Sequence, residues 1–228
     1  MSVQHQRTNE FDALPPAMAF RTLALMLLTV VAGAMAALVV LPAWLPHVSA
    51  SLLGFAPKGY WYLSRMSALV AYSLLWLSMA LGLSMTNRLV RAWPGGPTAF
   101  DLHQHASLLG LAFALFHALV LMGDHYINYS LAQVLMPFAS TAYRPLWVGL
   151  GQIGLYLMVL VGLSFYVRGV TGRRFWRLLH YLSFVVFLLG LAHGVLSGTD
   201  TTTAWVRGMY WASGGSLLFL MIYRLLRR

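Results

Sequence analysis

Six apolar runs alternate with short polar breaks along the chain, at about residues 20–41, 60–85, 102–123, 146–167, 178–197 and 208–223. A bilayer core about 30 Å thick takes roughly 20 apolar residues per helix, so the pattern predicts an all-α, polytopic six-helix transmembrane bundle. The breaks carry helix-ending residues: Pro42 and Pro46, Pro94-Gly95-Gly96-Pro97, Pro137 and Pro145, Gly169 and Gly172, and Gly198-Thr199-Asp200. The first run is too long for a signal-peptide core, and Glu10 and Asp12 precede it where such a signal would be basic, so it is expected to be a retained helix. The partly apolar connection from Asp124 to Pro145 is expected to form a short interfacial helix. The expected organisation is an N-terminal segment over 1–19, a membrane domain over 20–223 and a basic tail over 224–228, neither end being long enough to fold alone.

Composition fits this reading. Hydrophobic residues make up 60% of the 228 and charged residues 9%, at a mean hydropathy of +0.72, which leaves too little charge to cover a water-facing domain. With no cysteine, disulfides, iron–sulfur clusters and thiolate chemistry are excluded, and metal ligation falls to His, Met, Asp or Glu. The net charge of +10 is a topology signal rather than a nucleic-acid footprint, because the basic residues sit between the apolar runs. Eleven arginines (Arg7, Arg21, Arg88, Arg91, Arg168, Arg173, Arg174, Arg177, Arg224, Arg227 and Arg228) fall on one side, and Lys58, Arg65, Arg144 and Arg207 on the other. The expectation is a multi-pass protein of the plasma (bacterial inner) membrane with both termini cytoplasmic, its first partner being the lipid bilayer.

The histidines change the picture from span to site. An ionisable group at membrane depth points to function, and the third run carries His103, His105 and His117, the fifth His180 and His193. His5, His47 and His125 fall in loops and read as solvated. His103 and His117 are 14 residues apart, about 21 Å of helix, and His180 and His193 are 13 apart, about 20 Å. Runs three and five have the same direction, so His103 matches the depth of His180, and His117 that of His193. Two facing imidazole pairs hold planar haems edge-on in a bundle, and two stacked haems make an electron path across it. Gly110, midway between His103 and His117, is expected to leave room for a macrocycle; Gly190 and Gly194 read equally as such room or as helix contact. Two points stay open. Thirteen residues turn a helix by about 220° beyond whole turns, so His180 and His193 do not share a face, and His105 competes with His103 as the inner ligand. The opposing reading is a set of hydrogen-bonded core histidines or a proton relay; it lacks acids, because Glu10, Asp12, Asp101, Asp124 and Asp200 all lie at or beyond run ends, distant from the histidines.

His-x13-His in one helix and His-x12-His in another, the latter opening Trp176-Arg177-Leu178-Leu179-His180-Tyr181-Leu182 and closing His193-Gly194, resembles the ferric reductase-like transmembrane domain of ferric reductases and NADPH oxidases over about residues 60–200. The resemblance implies one b-type haem (haem b) between His103 and His180 and another between His117 and His193. It also places Arg65, in the second run, near the outer haem, where a propionate would meet its guanidinium; the alternative is Arg65 snorkelling to headgroups. Arg88, Arg91, Arg173, Arg174 and Arg177 are candidates for inner propionates or anionic lipid. Full family members continue into a flavin- and nicotinamide-binding region, which is not found before Arg228. The resemblance therefore implies a separate flavoprotein reductase or a quinol as donor, and a ferric chelate, oxygen or a periplasmic protein as external acceptor. Gly149-Leu150-Gly151-Gln152-Ile153-Gly154 matches a dinucleotide fingerprint, but it lies within an apolar run with no strand before it, so no nicotinamide site is assigned.

The expected function is transmembrane electron transfer, as a membrane oxidoreductase or its electron-transfer subunit, through two bis-His haems. The competing readings are a haem-bearing anchor for a separate oxidoreductase, such as a methionine sulfoxide reductase system, and a haem-free transporter. Met66, Met79, Met122 and Met158 read as core filler rather than ligands, and Asn128-Tyr129-Ser130 is a glycosylation sequon.

Overall fold

The computed structural model describes residues 15–44, 59–124 and 127–227. His5, His47, His125, Arg7, Glu10, Asp12, Pro46, Lys58 and Arg228 lie outside them. The described residues are helical, without a strand: α1 (Phe20–Trp44), α2 (Gly59–Thr86), α3 (Gly96–Val120), the short α4 (Leu131–Leu135), α5 (Pro145–Thr171), α6 (Arg173–Ser197) and α7 (Ala204–Leu226), with 3-10 turns at Leu89–Arg91, Leu121–Gly123 and Thr199–Thr202.

The apolar runs set these helices and the punctuation trims them. Pro97 and Pro145 stand in the first turns of α3 and α5, where a missing N–H costs nothing. Gly172, at φ +83° and ψ 149°, ends α5 and starts α6, a backbone region almost confined to glycine. Its N–H donates to the Arg168 carbonyl (3.0 Å) and its carbonyl receives the Trp176 N–H (3.0 Å), so one residue closes one helix and opens the next. Gly169 stays inside α5, and α1 runs through Pro42 to Trp44; apolar helices tolerate such residues where no water competes for the backbone.

Five of the six long helices, all but α7, are long and apolar enough to cross a bilayer, as in a multi-pass membrane protein. In α7 the stretch between Arg207 and Arg224 is shorter than the roughly 20 residues that a bilayer core takes. Its polar residues serve packing instead. The Tyr72 hydroxyl and Ser213 Oγ are 2.5 Å apart, and Trp76 Nε1 donates to Ser216 Oγ at 2.9 Å, which seats α7 on α2. Tyr72 also stacks on Phe187 (5.8 Å between centroids) and meets Tyr210 edge-on, within a buried cluster that includes Met79, Leu83 and Leu217.

The expected short helix of the 124–145 connection is α4. A capping box starts it: Gln133 N–H donates to Ser130 Oγ (3.3 Å), and Ser130 N–H to Gln133 Oε1 (2.9 Å). Gln152 Nε2 donates to the Gln133 and Val134 carbonyls, each at 2.7 Å, tying α4 to α5.

Helix pairs α2–α3 and α5–α6 pack most extensively, while α1 lies on α3 and α7 on α2. The bundle has two ends. At the basic end Ala17 N–H reaches Gln104 Oε1 (3.0 Å), the Tyr166 hydroxyl reaches the Met18 carbonyl (3.0 Å), and Asn87 Nδ2 reaches the Leu220 carbonyl (3.0 Å). Arg173, Arg174, Arg177 and Arg224 belong to this end by chain position. At the loop end the Tyr60 hydroxyl donates to the Ala37 carbonyl (2.9 Å), the Tyr143 hydroxyl to the Ser197 carbonyl (2.7 Å), and Arg144 to the Leu196 carbonyl. α3 and α6 are not a closely packed pair. Side chains, rather than backbones, bridge the space between them.

Candidate functional site

Four imidazoles are those bridging side chains. His103 of α3 faces His180 of α6 with ring centroids 6.0 Å apart, near the basic end; His117 faces His193 at 6.1 Å, near the loop end; both ring pairs are inclined at 68°. The depth matching expected from the spacing is present as geometry. His105 is exposed and outside both pairs, its Nδ1 donating to the Asp101 carbonyl of its own helix (2.8 Å).

The α3 members are held by matching carbonyl bonds. His103 Nδ1 donates to the Ser78 carbonyl (2.8 Å) and His117 Nδ1 to the Ser64 carbonyl (2.8 Å), both on α2. The hydroxyls of the same serines approach the same nitrogens, at 3.1 Å and 2.8 Å. Ser64 and Ser78 are 14 residues apart, like the histidines they hold; one antiparallel register of α2 on α3 therefore builds both contacts. That equal spacing is the signal by which the serines were readable in the sequence. A carbonyl only accepts, so each Nδ1 carries the proton and each Nε2 keeps its lone pair for a ligand.

The α6 members differ. His193 Nδ1 donates to the Trp147 carbonyl of α5 (2.9 Å). It lies against Gly151, where a Cβ would stand 2.5 Å from Nδ1 and 2.7 Å from Cγ. The apparent dinucleotide fingerprint is thus helical, and its second glycine clears space for a histidine. His180 has no carbonyl partner among the described residues; Trp176, one turn earlier, covers its ring at 5.3 Å and 30°. One ring leans on a neighbouring helix and the other on its own, which is how residues about 220° apart both meet α3.

Each pair borders a cavity. The loop-end cavity, about 240 Å³, is lined by His117, His193, Gly151, Arg65 and Asp200; the basic-end cavity, about 330 Å³, by His103, His180, Gln104, Trp176, Arg177 and Arg224. Leu75, Met158 and Val186, from α2, α5 and α6, belong to both walls.

Two expectations need correction. The acids are not all distant from the histidines: Asp200, on the 3-10 turn before α7, lines the His117–His193 cavity and is the anion beside Arg65, whose Nε donates to Asp200 Oδ2 at 2.6 Å while Nη2 pairs with Oδ1. The two residues are 135 positions apart, beyond the reach of any local pattern. Nor does Gly110 open a cavity. It is buried, and a Cβ there would meet Leu74 Cβ and Met158 Cε at 3.3 Å, so it serves close α2–α3 contact. Gly194 likewise admits the Tyr210 hydroxyl, 2.7 Å from where its Cβ would stand.

No three His, Asp or Glu side chains converge on a metal cage among the described residues. The chain matches no family model, no curated protein and no solved structure.

Proposed function

We propose that this chain is a six-span membrane electron carrier holding two b-type haems, one between His103 and His180 and one between His117 and His193. The separation of the rings carries the reading: bonds of about 2.0–2.1 Å from one metal ion to an imidazole nitrogen on each side would set the centroids roughly 6.3 Å apart, against 6.0 and 6.1 Å observed. The donor set agrees. Among the described residues neither pair belongs to a group of three His, Asp or Glu, which suits an ion whose remaining positions a macrocycle fills. Three of the four imidazoles are fixed by Nδ1–carbonyl bonds that leave Nε2 available.

A haem held by His103 and His180, and another held by His117 and His193, would supply one-electron redox chemistry in the two cavities. The chain's own residues orient the imidazoles, line both chambers mainly with apolar side chains, and place the Arg65–Asp200 pair beside the loop-end chamber. With the basic end cytoplasmic, electrons enter there from a flavoprotein reductase or quinol and leave at the loop end to a ferric chelate, oxygen or a periplasmic protein. α7 completes the six spans, Arg207 and Arg224 snorkelling from its short apolar stretch. The resemblance to ferric reductase-like membrane domains supports the same direction of flow.

The test is a reduced-minus-oxidised absorption spectrum and a pyridine haemochrome titration of the purified protein. Two low-spin b haems per chain are expected. Absence of b-type bands removes the proposal and leaves the haem-free transporter.

A further inference from the structure

At the basic end the polar groups are one-sided. Gln104 is buried, at 8% exposure, and its Oε1 receives the Ala17 N–H at 3.0 Å. An N–H can be met only by the oxygen, so that bond fixes the amide and leaves Nε2 as a donor; Nε2 has no partner among the described residues. Trp176 is half-buried as a residue, but its Nε1 is buried, has no partner among the described residues and can only donate. Both residues line the 330 Å³ cavity with Arg177 and Arg224, and among the described residues no Asp or Glu does. Buried donors normally have acceptors, and the described protein offers these two none.

We propose that the basic-end cavity receives an acceptor-only anion, a carboxylate or phosphate carried on an apolar body, with Gln104 Nε2 and Trp176 Nε1 donating to its oxygens and Arg177 and Arg224 balancing its charge. The anion has two sources: the side-chain carboxylates of haem, which rests on the function proposed above, or an anionic lipid, which does not.

Two variants isolate the donors. Gln104→Glu keeps the acceptor for Ala17 and replaces the donating group with a repelling oxygen; Trp176→Phe keeps an aromatic ring beside His180 and removes the N–H together with part of the indole. Protein produced without haem is titrated in micelles of phosphatidylcholine and phosphatidylglycerol with haem and with haem dimethyl ester, and bound phospholipid is counted by mass spectrometry. If haem is the source, the His117→Ala protein, which keeps the basic-end pair, binds haem about tenfold or more tightly than the ester, and Gln104→Glu or Trp176→Phe narrows that gap. If lipid is the source, one phosphatidylglycerol per chain accompanies the wild type and is lost from both variants, whether or not haem binds. Equal binding of haem and ester, with lipid counts unchanged in both variants, means that water meets the donors and overturns the proposal. Failure to bind haem at all overturns the electron-carrier reading and leaves the lipid count to decide this one.

Discussion

The two imidazole pairs share one half and differ in the other. On the α3 side they are copies, two histidines donating to two serine carbonyls of α2 at 2.8 Å. On the α6 side, His193 is bonded to the Trp147 carbonyl of α5 in the room that Gly151 leaves, whereas among the described residues His180 has no carbonyl partner and leans on the Trp176 face. Their electrostatics diverge too: the loop-end cavity pairs its arginine with Asp200, while among the described residues the basic-end cavity is lined by two arginines and no acid. An antiparallel helix pair with one register duplicates a site at no extra design; a 13-residue spacing on the third helix does not. The loop-end site is therefore the more rigid, and the basic-end site is steadied by its surroundings.

The strongest way to separate the sites is to delete one ligand. His103→Ala is expected to cut the haem count from two to one and leave the loop-end spectrum unchanged, and His117→Ala to do the converse, read by pyridine haemochrome titration and electron paramagnetic resonance. Gly151→Ala comes next. Its methyl group would stand 2.5 Å from His193 Nδ1, so loss of the proposed loop-end haem alone is expected, whereas Gly169→Ala on the same helix, with nothing within 4 Å of its Cβ, is expected to keep both; loss of both in Gly151→Ala would sink the independence of the sites.

Asp200→Asn has an intermediate effect. It leaves the partly exposed Arg65 without its carboxylate, and the KM for an anionic ferric chelate is expected to fall severalfold at low salt and to recover at roughly 1 M, where screening is short-ranged. An unchanged KM at low salt would show that Arg65 does not meet the acceptor. The smallest effect belongs to Ser64→Ala and Ser78→Ala. Each keeps the carbonyl and removes only the hydroxyl, so a cost of about 0.5–1.5 kcal/mol, equal at the two sites in thermal melts, is expected. A large inequality would break the equivalence of the α3 halves.

Much of the architecture was legible because hydrocarbon imposes length and apolarity on every span; α2 matches its run at both ends, whereas α3 and α6 begin before their apolar runs and α5 continues past its own, since polar turns at the ends carry no hydropathy. α7 was the least legible of the long helices, since Ser213 and Ser216 spend its hydropathy on bonds to α2. The histidine spacings gave the depth matching, but the groups that hold the rings are backbone carbonyls, which every residue possesses, so Trp147 left no trace in its side chain. Gly151 was hidden inside a nucleotide-like motif, and Asp200 reached Arg65 only through tertiary folding. Gly110 misled because a missing side chain serves close approach as readily as open space.

Leu75, Met158 and Val186, drawn from three different helices, are walls common to the two chambers. A truncation such as Met158→Ala would enlarge both compartments, making this a place where a single substitution is felt by both histidine pairs at once.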